Sequence, residues 1–379
     1  MKLDDLRNEI DLIDDQLIAL FVKRMNAALK VAKVKKENDL PVLSSKREQE
    51  ILAKVTEKVG DDLDVYGRIL YNTIFDLSRS YQNNYLCPSS DLDMRIREAL
   101  EKTPKLFPRK SIVACQGIEG AFSQLAAEKL FDFPAIMYFN NFEGVFTAVE
   151  KGLCQYGVLP IENSSYGSVG EVYDLMRNYH FHIAKSVKLH VRHALLVKPG
   201  TKLSDIKEIF SHEQGLGQCS KFIKGLKGVK ATVCENTAIA AQIVASSDNN
   251  QTAAISSKNC ASIYGLEILN DDIQNNDNNY TRFICISKDL EIYPGASKVS
   301  LMISVPHKPM SLYSVIAKFS SLGLNLTKLE SRPIPGSDFE FMFYFDIDAS
   351  LYSENVVRLL CQLEKDLDLF VFLGNYLED

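Results

Sequence analysis

The sequence lacks most of the features that mark metalloproteins, nucleic-acid-binding proteins and membrane proteins. Its eight cysteines are scattered singly, without a Cys-x-x-Cys pair or a His–Cys cluster, so no metal site is expected. A formal net charge of -6 argues against nucleic acid or a membrane surface as a partner. No apolar run approaches the roughly 18 residues that are needed to span a bilayer.

Two further absences narrow the function and the location. There is no Gly-x-Gly-x-x-Gly followed by a ribose-binding acid, so a nicotinamide enzyme is disfavoured and no cofactor is expected. The N-terminal Met1-Lys2-Leu3-Asp4-Asp5 is acidic and periodic, unlike a signal or transit peptide. Most cysteines lie in apolar runs, where they act as small core residues, which favours a reducing, cytoplasmic location.

What remains is an ordinary soluble composition on a chain long enough for several domains. The chain has 379 residues, of which 46% are hydrophobic and 24% charged, so we expect two to four domains. Changes in pattern along the chain place the boundaries. We predict an all-α domain at residues 1–85, a linker at 86–108, a two-lobed α/β domain at 109–288 and a βαββαβ domain at 297–379.

The first 35 residues carry an apolar residue every three or four positions: Leu3, Leu6, Ile10, Ile13, Leu17, Leu20, Ala27, Val31 and Val34. This heptad seam predicts one helix from residue 3 to about 37, roughly 50 Å long. Such a helix cannot bury its stripe within 85 residues, so we expect a homodimer or higher homo-oligomer. Arg24 interrupts the seam, where an unpaired cation costs on the order of several kcal/mol, so a functional role is favoured over a surface salt bridge.

Two shorter helices complete the all-α domain. Pro41 is expected to end the first segment, and Ser45-Lys46-Arg47-Glu48 reads as a capping box for a helix to about Val59. A third helix is predicted from about Val65 to Tyr85. The expected pocket is polar and rich in cations, and comprises Arg7, Arg24, Lys35, Arg47, Glu48, Ser78 and Gln82. Without a nucleophile or histidine, it suits conformational selection and charge stabilisation, with Arg7 placed to serve the opposite subunit.

This set of residues resembles the all-helical chorismate mutase domain, through Leu6-Arg7, Lys23-Arg24, Lys35, Arg47-Glu48 and Ser78-x-x-x-Gln82. The resemblance implies that the arginines and Lys35 clamp the two carboxylates of chorismate. It also implies that Lys35 and Gln82 face the ether oxygen and that Arg7 reaches across a dimer. Ser44 stands where relatives often carry an acid that contacts a substrate hydroxyl, a contact that Glu48 can also make.

The central region repeats a strand-then-helix pattern from Ser111 onward. Before it, residues 86–108 contain three prolines and are expected to form a linker with a short helical stretch around Met94 to Leu100. The repeated units predict an open α/β domain with two lobes and a cleft between them.

The predicted strand ends are rich in hydroxyl and amide side chains, at Pro160-Ile161-Glu162-Asn163-Ser164-Ser165, Ser211-His212-Glu213-Gln214, Gln218-Cys219 and Glu235-Asn236-Thr237. Taken singly, these are helix N-caps. Several that converge would form a cleft of helix N-termini that suits a carboxylate ligand.

The segment Asn279-Tyr280-Thr281-Arg282-Phe283 opens a buried strand at the mouth of this domain. In a strand, Thr281 and Phe283 face one side and Arg282 faces the other. A β-branched strand residue with an incidental surface arginine is the simpler interpretation of this segment taken alone.

Seven motifs in this region resemble the prephenate dehydratase domain over residues 111–288. They are Gly117-x-x-Gly120-Ala121-Phe122-Ser123, Pro160-Ile161-Glu162-Asn163-Ser164, Arg192-His193-Ala194-Leu195, Ser211-His212-x-Gln214, Gln218-Cys219, Tyr264-Gly265-Leu266 and Asn279-x-Thr281-Arg282-Phe283. The resemblance implies that prephenate loses carbon dioxide and its ring hydroxyl to give phenylpyruvate. The implied catalytic residues are Glu162, Asn163, Ser211, Gln218, Thr281 and Arg282, and the implied substrate contacts are Ser123, Ser164, His212 and Phe283.

Within that set, Thr281 is the expected hydrogen-bond donor to the leaving hydroxyl, because a threonine hydroxyl is a poor free acid. Glu162 and His212 are the titratable candidates for a proton relay to Thr281, although both could be structural. Arg282 pairs with a substrate carboxylate or with Glu162, and the sequence leaves both open.

The last eighty residues read as βαββαβ, a ferredoxin-like layout without a catalytic constellation, so binding or dimerisation is expected. The region resembles a phenylalanine-binding ACT domain through Asn325-Leu326-x-x-Leu329-Glu330-Ser331-Arg332-Pro333. The resemblance implies L-phenylalanine as effector, with contacts at Met310, Ser311, Leu312, Asn325, Glu330, Ser331 and Arg332. Met310 stands where a small residue is usual, which predicts a weaker pocket.

Three functions are thus weighed. A mutase–dehydratase accounts for essentially the whole chain. A non-catalytic aromatic amino-acid sensor would need neither Thr281-Arg282 nor the cation pocket of the first helix. A mutase fused to a dehydrogenase would need the missing dinucleotide fingerprint.

Overall fold

A computed structural model of the chain describes residues 3–38, 40, 44–86, 90–334 and 341–379. Pro41 and Cys87, which the sequence analysis assigned to a helix end and to the linker, lie outside these ranges. None of the described helices is both long and apolar enough to cross a lipid bilayer.

The N-terminal part is all-helical, as predicted, and we call it the helical unit (residues 3–86). Its three helices are α1 (Leu3–Glu37), α2 (Ser45–Val59) and α3 (Asp64–Leu86), with α1 and α2 both packed on α3. The seam residues from Leu3 to Leu20 remain 36–64% exposed, so a single chain does not bury this stripe.

The predicted capping box of α2 is wrong in two respects: it is displaced by one residue, and the side-chain capping hydrogen bond is not formed. The helix begins at Ser45, so Ser44 is the N-cap residue, and the Ser44 side chain makes no capping hydrogen bond. The Glu48 carboxylate is instead bound by Arg79 of α3. A charged partner on a neighbouring helix has displaced a local backbone contact.

The predicted linker contains a full amphipathic helix, α4 (Asp91–Lys102), whose N-cap Ser90 accepts a hydrogen bond from the Asp93 backbone N–H. Leu92, Ile96 and Ala99 lie on one face of α4 at helical spacing and are buried in the core of the C-terminal part of the chain. Residues 91–102 therefore form a helix that packs on the C-terminal core, which is more than the short helical stretch that was predicted.

The central part has two lobes, as predicted. The first lobe contains β1 (Lys110–Gln116), α5 (Phe122–Leu130), β2 (Phe133–Phe139), α6 (Phe142–Glu150), β3 (Tyr156–Asn163), β4 (Gly167–Ser168), α7 (Gly170–Tyr179) and β5 (His182–His190). The second lobe contains β6 (Ala194–Val197), β7 (Glu208–His212), α8 (Glu213–Gln218), α9 (Ser220–Gly225), β8 (Lys230–Cys234), α10 (Thr237–Ser246), β9 (Thr252–Ser256), α11 (Asn259–Tyr264) and β10 (Glu267–Asn270).

The chain then returns to the first lobe as β11 (Tyr280–Ser287), which inserts antiparallel between β5 and β3. The second lobe keeps its own five-stranded sheet in the order β10-β6-β9-β7-β8. Two chain crossings therefore join the lobes, and β11 carries Thr281 and Arg282 to the centre of the first-lobe sheet.

The C-terminal unit (residues 297–379) has the predicted βαββαβ order: β12 (Lys298–Ser304), α12 (Ser311–Ser321), β13 (Asn325–Pro333), β14 (Phe341–Asp348), α13 (Glu354–Asp366) and β15 (Leu369–Glu378). Its sheet runs β13-β14-β12-β15 and continues into β5-β11-β3-β1-β2 of the first lobe, because the end of β15 pairs with β5.

The C-terminal sheet buries both of its faces. One face packs on α12, α13 and α4, around Phe319, Phe345 and Leu360. The other face, with Met342 and Tyr344, packs on the first lobe. Gly374 permits this contact, because a Cβ there would stand 2.5 Å from the Ile183 carbonyl oxygen of β5.

Candidate active sites

The helical unit brings Arg24, Ser78 and Gln82 together between α1 and α3. The Arg24 guanidinium donates to the Ser78 hydroxyl at 2.5 Å and lies 5.7 Å from the centre of the Phe75 ring. One turn after Ser78, the Gln82 amide donates to the Ser78 carbonyl at 3.1 Å. The buried Gln82 Oε1 has no hydrogen-bond partner among the described residues. The Arg24 cation suits an anionic group of a ligand, and the unpaired Gln82 oxygen can accept a hydrogen bond from a ligand hydroxyl.

The other residues predicted for this pocket are placed differently. Arg7 pairs with Asp4 at 3.4 Å and Arg47 pairs with Glu50 at 3.0 Å, in exposed contacts within their own helices. Lys35 is half-buried on α1, and Ser44 is exposed. A single chain therefore does not gather all the predicted cations around Arg24.

Arg79 is a pocket residue that the sequence analysis missed. Its guanidinium binds both Glu48 and Asp76, and so ties α2 to α3 beside Ser78. Its place directly after Ser78 in the sequence was the available signal.

A cavity of about 430 Å³ separates the two lobes of the central part. Six of the residues predicted for this site line it: Ser123, Asn163, His212, Gln218, Thr281 and Phe283. Further lining residues, which were not named as catalytic or substrate-contact residues, include Gln116, Ser168, His193, Gln214, Asn236 and Thr237. Of these, His193 stood inside a motif already noted, directly before a buried strand.

Thr281 is fixed on the cavity face by its neighbour across the sheet, Asn163. The two residues are directly paired in the β3–β11 ladder, and Asn163 Nδ2 donates to Thr281 Oγ1 at 2.8 Å and to Asn279 Oδ1 at 3.0 Å. Asn163 Oδ1 accepts from the backbone N–H groups of Ser165 and Tyr166 at 2.9 and 3.0 Å. These two backbone donors set the orientation of the amide.

The contact with Asn163 fixes which hydrogen-bonding role the Thr281 hydroxyl has left for a ligand. Since its oxygen accepts from Asn163, its own proton remains free to donate to another group. The side chain is 9% exposed and that exposure is to the cavity. Thr281 can therefore act as a positioned donor to a ligand between the lobes.

Two histidines lie at the cavity wall with different roles. His193 is buried, and its Nε2 donates to Gln218 Oε1 at 2.6 Å. Burial lowers the pKa of His193, although the Gln218 hydrogen bond opposes that shift. His212 caps α8 by accepting the Gln214 backbone N–H through Nδ1 at 3.3 Å, and burial lowers its pKa as well. Burial therefore favours the neutral form of both imidazoles.

Four predicted site residues lie outside the cavity lining. The Ser211 hydroxyl is fully buried and donates to the Ile255 carbonyl at 2.7 Å. Ser164 closes the turn before β4, where its hydroxyl donates to the Asn278 carbonyl at 2.9 Å. Glu162 and Arg282 face the reverse side of the sheet, because strand side chains alternate. Glu162, one of the two candidates for a proton relay to Thr281, therefore lies on the wrong face of the sheet for that role, whereas His212, the other candidate, lines the cavity.

Arg282 is bound by three carboxylates on that reverse side. Its guanidinium contacts Glu162 at 3.2 Å, Asp346 at 2.6 Å and Glu378 at 3.6 Å. Of the two partners that the sequence left open, the structure has Glu162, and it adds two carboxylates of the C-terminal unit. The Arg282 side chain is 8% exposed, so these contacts are largely removed from solvent.

The cavity carries little formal charge. Among the described lining residues there is no lysine or arginine, and Glu235 is the one carboxylate. Positive potential comes instead from helix N-termini, since the first residues of α5 and α10 line the wall. No three His, Cys, Asp or Glu side chains of the described ranges are grouped to hold a metal ion.

The residues predicted to bind an effector do not share one face of the C-terminal unit. On β13, Glu330 and Arg332 face the first lobe, where Glu330 accepts from Ser168 and Arg332 packs over Gly170. Asn325 and Ser331 are exposed, and Leu312 packs on the helix-side core. Met310 precedes α12 with φ 70°, a left-handed conformation natural to glycine, and the hydroxyl of Ser311 is buried without a partner among the described residues.

Comparison with known families agrees with this division of the chain. Residues 6–83 match the family "Chorismate mutase type II", and residues 113–291 match the family "Prephenate dehydratase".

Individual relatives match either nearly the whole chain or a large part of it. The chain is 30% identical to the bifunctional chorismate mutase/prephenate dehydratase of Escherichia coli K12, over 98% of this chain and 95% of that one. It is 34% identical to the chloroplastic arogenate dehydratase/prephenate dehydratase 2 of Arabidopsis thaliana, over 83% of this chain and 84% of that one. A structure of prephenate dehydratase from Arthrobacter aurescens in complex with L-Phe superposes with a TM-score of 0.63 at 26% identity, covering 70% of this chain and 90% of that one.

One prediction concerns the protonation of the cavity wall. We expect His193 to be less charged at pH 6.5 than an exposed histidine, which is about half charged there, because burial lowers its pKa. Gln218→Ala should lower the pKa of His193 further, since it removes the hydrogen bond that opposes the effect of burial. The measurement is an NMR titration of the imidazole, with the chain unfolded in urea as reference. A folded-state midpoint at or above the unfolded one would contradict it.

Proposed function

The chain belongs to the bifunctional chorismate mutase/prephenate dehydratase family, and from this membership we propose where each reaction takes place. The protein rearranges chorismate to prephenate and converts prephenate to phenylpyruvate. We place the first reaction around Arg24 in the helical unit and the second at Thr281 in the cavity between the lobes. Prephenate is the substrate assigned to the second site because the relative that spans nearly the whole chain carries both units.

The mutase site binds chorismate in a reactive conformation and stabilises the charge that develops, without covalent chemistry. Arg24, which is half-buried against Phe75 and Ser78, is assigned to a carboxylate of chorismate. Gln82, through the Nε2 proton that the Ser78 carbonyl does not accept, is assigned to the ether oxygen, where negative charge develops as the C–O bond breaks, together with Lys35. We assign Arg7 to the site of a second copy of the chain, and Arg47, Glu48 and Ser44 to the remaining carboxylate and hydroxyl contacts.

A homodimer through α1 follows from the same features. The apolar seam from Leu3 to Leu20 is exposed in one chain, and Arg7 on that helix is not gathered around its own Arg24. Pairing two copies along the seam would remove apolar surface from water and bring the cations of one chain to the pocket of the other.

The dehydratase reaction is a concerted loss of two groups from the ring. The electron pair of the breaking carbon–carboxylate bond enters the ring, carbon dioxide leaves, and the ring hydroxyl departs as water with a proton passed on by the Thr281 hydroxyl, which regains a proton from solvent. The Thr281 hydroxyl donates to that departing oxygen. The observation that carries this assignment is the hydrogen bond from Asn163, which makes Thr281 an acceptor there and directs its proton to the substrate.

The remaining wall residues bind and orient prephenate. The N-termini of α5 and α10, with Ser123, Asn236 and Thr237, are suited to carboxylates without a lysine or arginine. His193 and Gln218 form a neutral, hydrogen-bonded pair beside them, and Phe283 supplies an apolar contact for the ring.

The C-terminal unit is proposed to be a ferredoxin-like ACT domain that binds L-phenylalanine. Its βαββαβ order and its sheet order, with the first and third strands central, support this assignment, as does the L-Phe in the structure of the Arthrobacter relative. The proposed contacts are Met310, Ser311, Asn325 and Ser331, whereas Glu330, Arg332 and Leu312, which the sequence also suggested, are occupied by the first lobe or by the core. The proposed domain limits are 1–85, 86–108, 109–288 and 297–379, with α4 assigned structurally to the C-terminal core.

A cytoplasmic location is also proposed. The described cysteines, Cys115, Cys154, Cys219, Cys234, Cys260, Cys285 and Cys361, are all free, which suits a reducing compartment.

Arg24→Ala should abolish mutase turnover and leave dehydratase turnover with prephenate unchanged, because the two sites share no residue. The measurement follows chorismate loss and phenylpyruvate formation separately in the same preparation. Lys30→Ala, an exposed cation on the same helix, is the matched control. Retained mutase activity in the Arg24 variant would refute the assignment.

Thr281→Ala should lower dehydratase kcat by about a hundredfold or more, the value of a positioned proton donor. Thr281→Ser keeps a hydroxyl and should recover most of that loss. Asn163→Asp should be as damaging as Thr281→Ala, because a carboxylate would take the proton that Thr281 must offer to substrate. Mutase kcat reports folding in each variant. A Thr281→Ala enzyme with near-normal dehydratase kcat would rule out the donor role.

L-Phenylalanine should inhibit the dehydratase reaction, and Met310→Gly should lower the concentration required. Glycine takes the left-handed backbone of residue 310 without strain and removes a side chain that stands at the start of α12. The assay titrates phenylalanine at fixed prephenate, with Lys308→Ala as the nearby control. Absence of inhibition and of binding at millimolar phenylalanine would sink the effector assignment.

A further inference from the structure

The C-terminal unit contacts the strand pair β3–β11, which carries Thr281, on the face opposite to the cavity. Thr281 pairs with Asn163 and Arg282 pairs with Glu162 at adjacent positions of the same β3–β11 ladder. The first pair faces the cavity and the second faces β14 and β15. A displacement of Arg282 therefore displaces the backbone that carries Thr281.

Arg282 is poorly placed to bind substrate, but it is well placed to couple the position of the C-terminal unit to that of β11. Its guanidinium lies on the side of the sheet opposite to the cavity and is 8% exposed. Two of its three carboxylate partners, Asp346 and Glu378, come from the C-terminal unit. A buried guanidinium that loses its partners is strongly destabilised, so β11 must follow these carboxylates or break the contact.

The two carboxylates are themselves held firmly. Asp346 is buried and accepts the Ser300 hydroxyl at 2.6 Å, while Ser300 also bonds the buried Tyr376 hydroxyl at 2.7 Å. Glu378 accepts from Lys188 at 2.7 Å and from Lys298 at 2.9 Å. Burial alone would raise the pKa of Glu378, but these lysines and Arg282 lower it to about 2, so the carboxylate stays charged. Neither partner is a loosely held surface acid.

A second contact joins the same unit to the cavity wall. Lys328 of β13 donates to the hydroxyl of Ser168 at 2.5 Å and pairs with Glu162 at 3.3 Å. Ser168 lines the cavity. The face of the C-terminal sheet that contacts Arg282 thus also contacts the cavity wall beside Asn163.

We propose that Asp346 and Glu378 are positioning residues of the dehydratase reaction, which act through Arg282 to hold the Thr281 hydroxyl at the departing oxygen. This inference rests on the dehydratase assignment of the cavity. It means that the C-terminal unit sets dehydratase turnover through a direct ionic contact with the catalytic strand. Movement of β14 and β15 relative to β11 lowers kcat and leaves substrate binding, which depends on the other walls, nearly unchanged.

The test compares Asp346→Asn with Asp348→Asn in the full-length protein. The two aspartates are two residues apart on β14, but Asp346 is buried against Arg282 whereas Asp348 is exposed and bonds Asn325. We expect Asp346→Asn to lower dehydratase kcat by about ten- to a hundredfold, the cost of a small misplacement of a reacting group, with KM within about twofold of wild type. Asp348→Asn should match wild type, and mutase kcat should be unchanged in both.

Rescue variants separate positioning from simple stabilisation. Asp346→Glu restores the charge and should recover most of the kcat. The double variant Arg282→Met, Asp346→Leu replaces the buried ion pair with apolar side chains, a change that often preserves folding, while Lys328 still pairs with Glu162 and two lysines with Glu378. It should keep mutase activity and a low dehydratase kcat.

Three results would overturn the proposal: an Asp346→Asn kcat within twofold of wild type, an Asp346→Glu variant as impaired as Asp346→Asn, or a double variant with wild-type dehydratase kcat. If Asp346→Asn also loses mutase activity, the double variant decides. Wild-type protein that forms no phenylpyruvate from prephenate would instead refute the dehydratase assignment itself, so the two failures are distinguishable.

Discussion

A buried guanidinium between two units is the interaction on which the rest of this structure depends. Arg282 needs counter-charges because it lies almost out of solvent, and it finds them in Glu162 of its own sheet and in Asp346 and Glu378 of the C-terminal unit. The alternation of a β-strand then places Thr281 on the opposite face, in the cavity. Two consecutive residues of β11 therefore serve different proposed roles: Thr281 lies in the proposed active site, and Arg282 makes the proposed regulatory contact.

Much of this organisation is predictable from the amino-acid sequence, because it rests on local periodicity. The seam of α1, the strand-then-helix repeats of the central part and the βαββαβ order of the end were all visible as patterns. The alternation of Thr281 and Arg282 followed from strand geometry alone. The converging N-caps correctly indicated a cavity with little formal charge, since helix N-termini at strand ends meet at one edge of a sheet.

What the sequence could not show depends on distant partners. Helix α4 looked like a linker because Leu92, Ile96 and Ala99 find their core some 200 residues later in the chain. Asp346 and Glu378 are unremarkable acids until the fold places them beside Arg282. The Glu48 cap was wrong for the same reason, because its carboxylate is bound by Arg79 of another helix in place of a local backbone contact.

The helical unit and the central cavity are suited to consecutive reactions by different interactions. Around Arg24 the chain offers fixed cations and amides, which stabilise charge in a rearrangement and transfer no proton. At Thr281 it offers a hydroxyl whose polarity is set by Asn163, within neutral walls. This separation explains why two substitutions, one in each site, should affect one activity each.

The central claim is that Thr281 meets the substrate and Arg282 does not, and a crystal structure with a bound, non-reacting prephenate analogue tests it most directly. We expect the ring oxygen of the analogue within hydrogen-bonding distance of Thr281 Oγ1, its carboxylates at the N-termini of α5 and α10, and Arg282 still bound to Asp346. A ligand carboxylate on the Arg282 guanidinium, with Asp346 displaced, would contradict it.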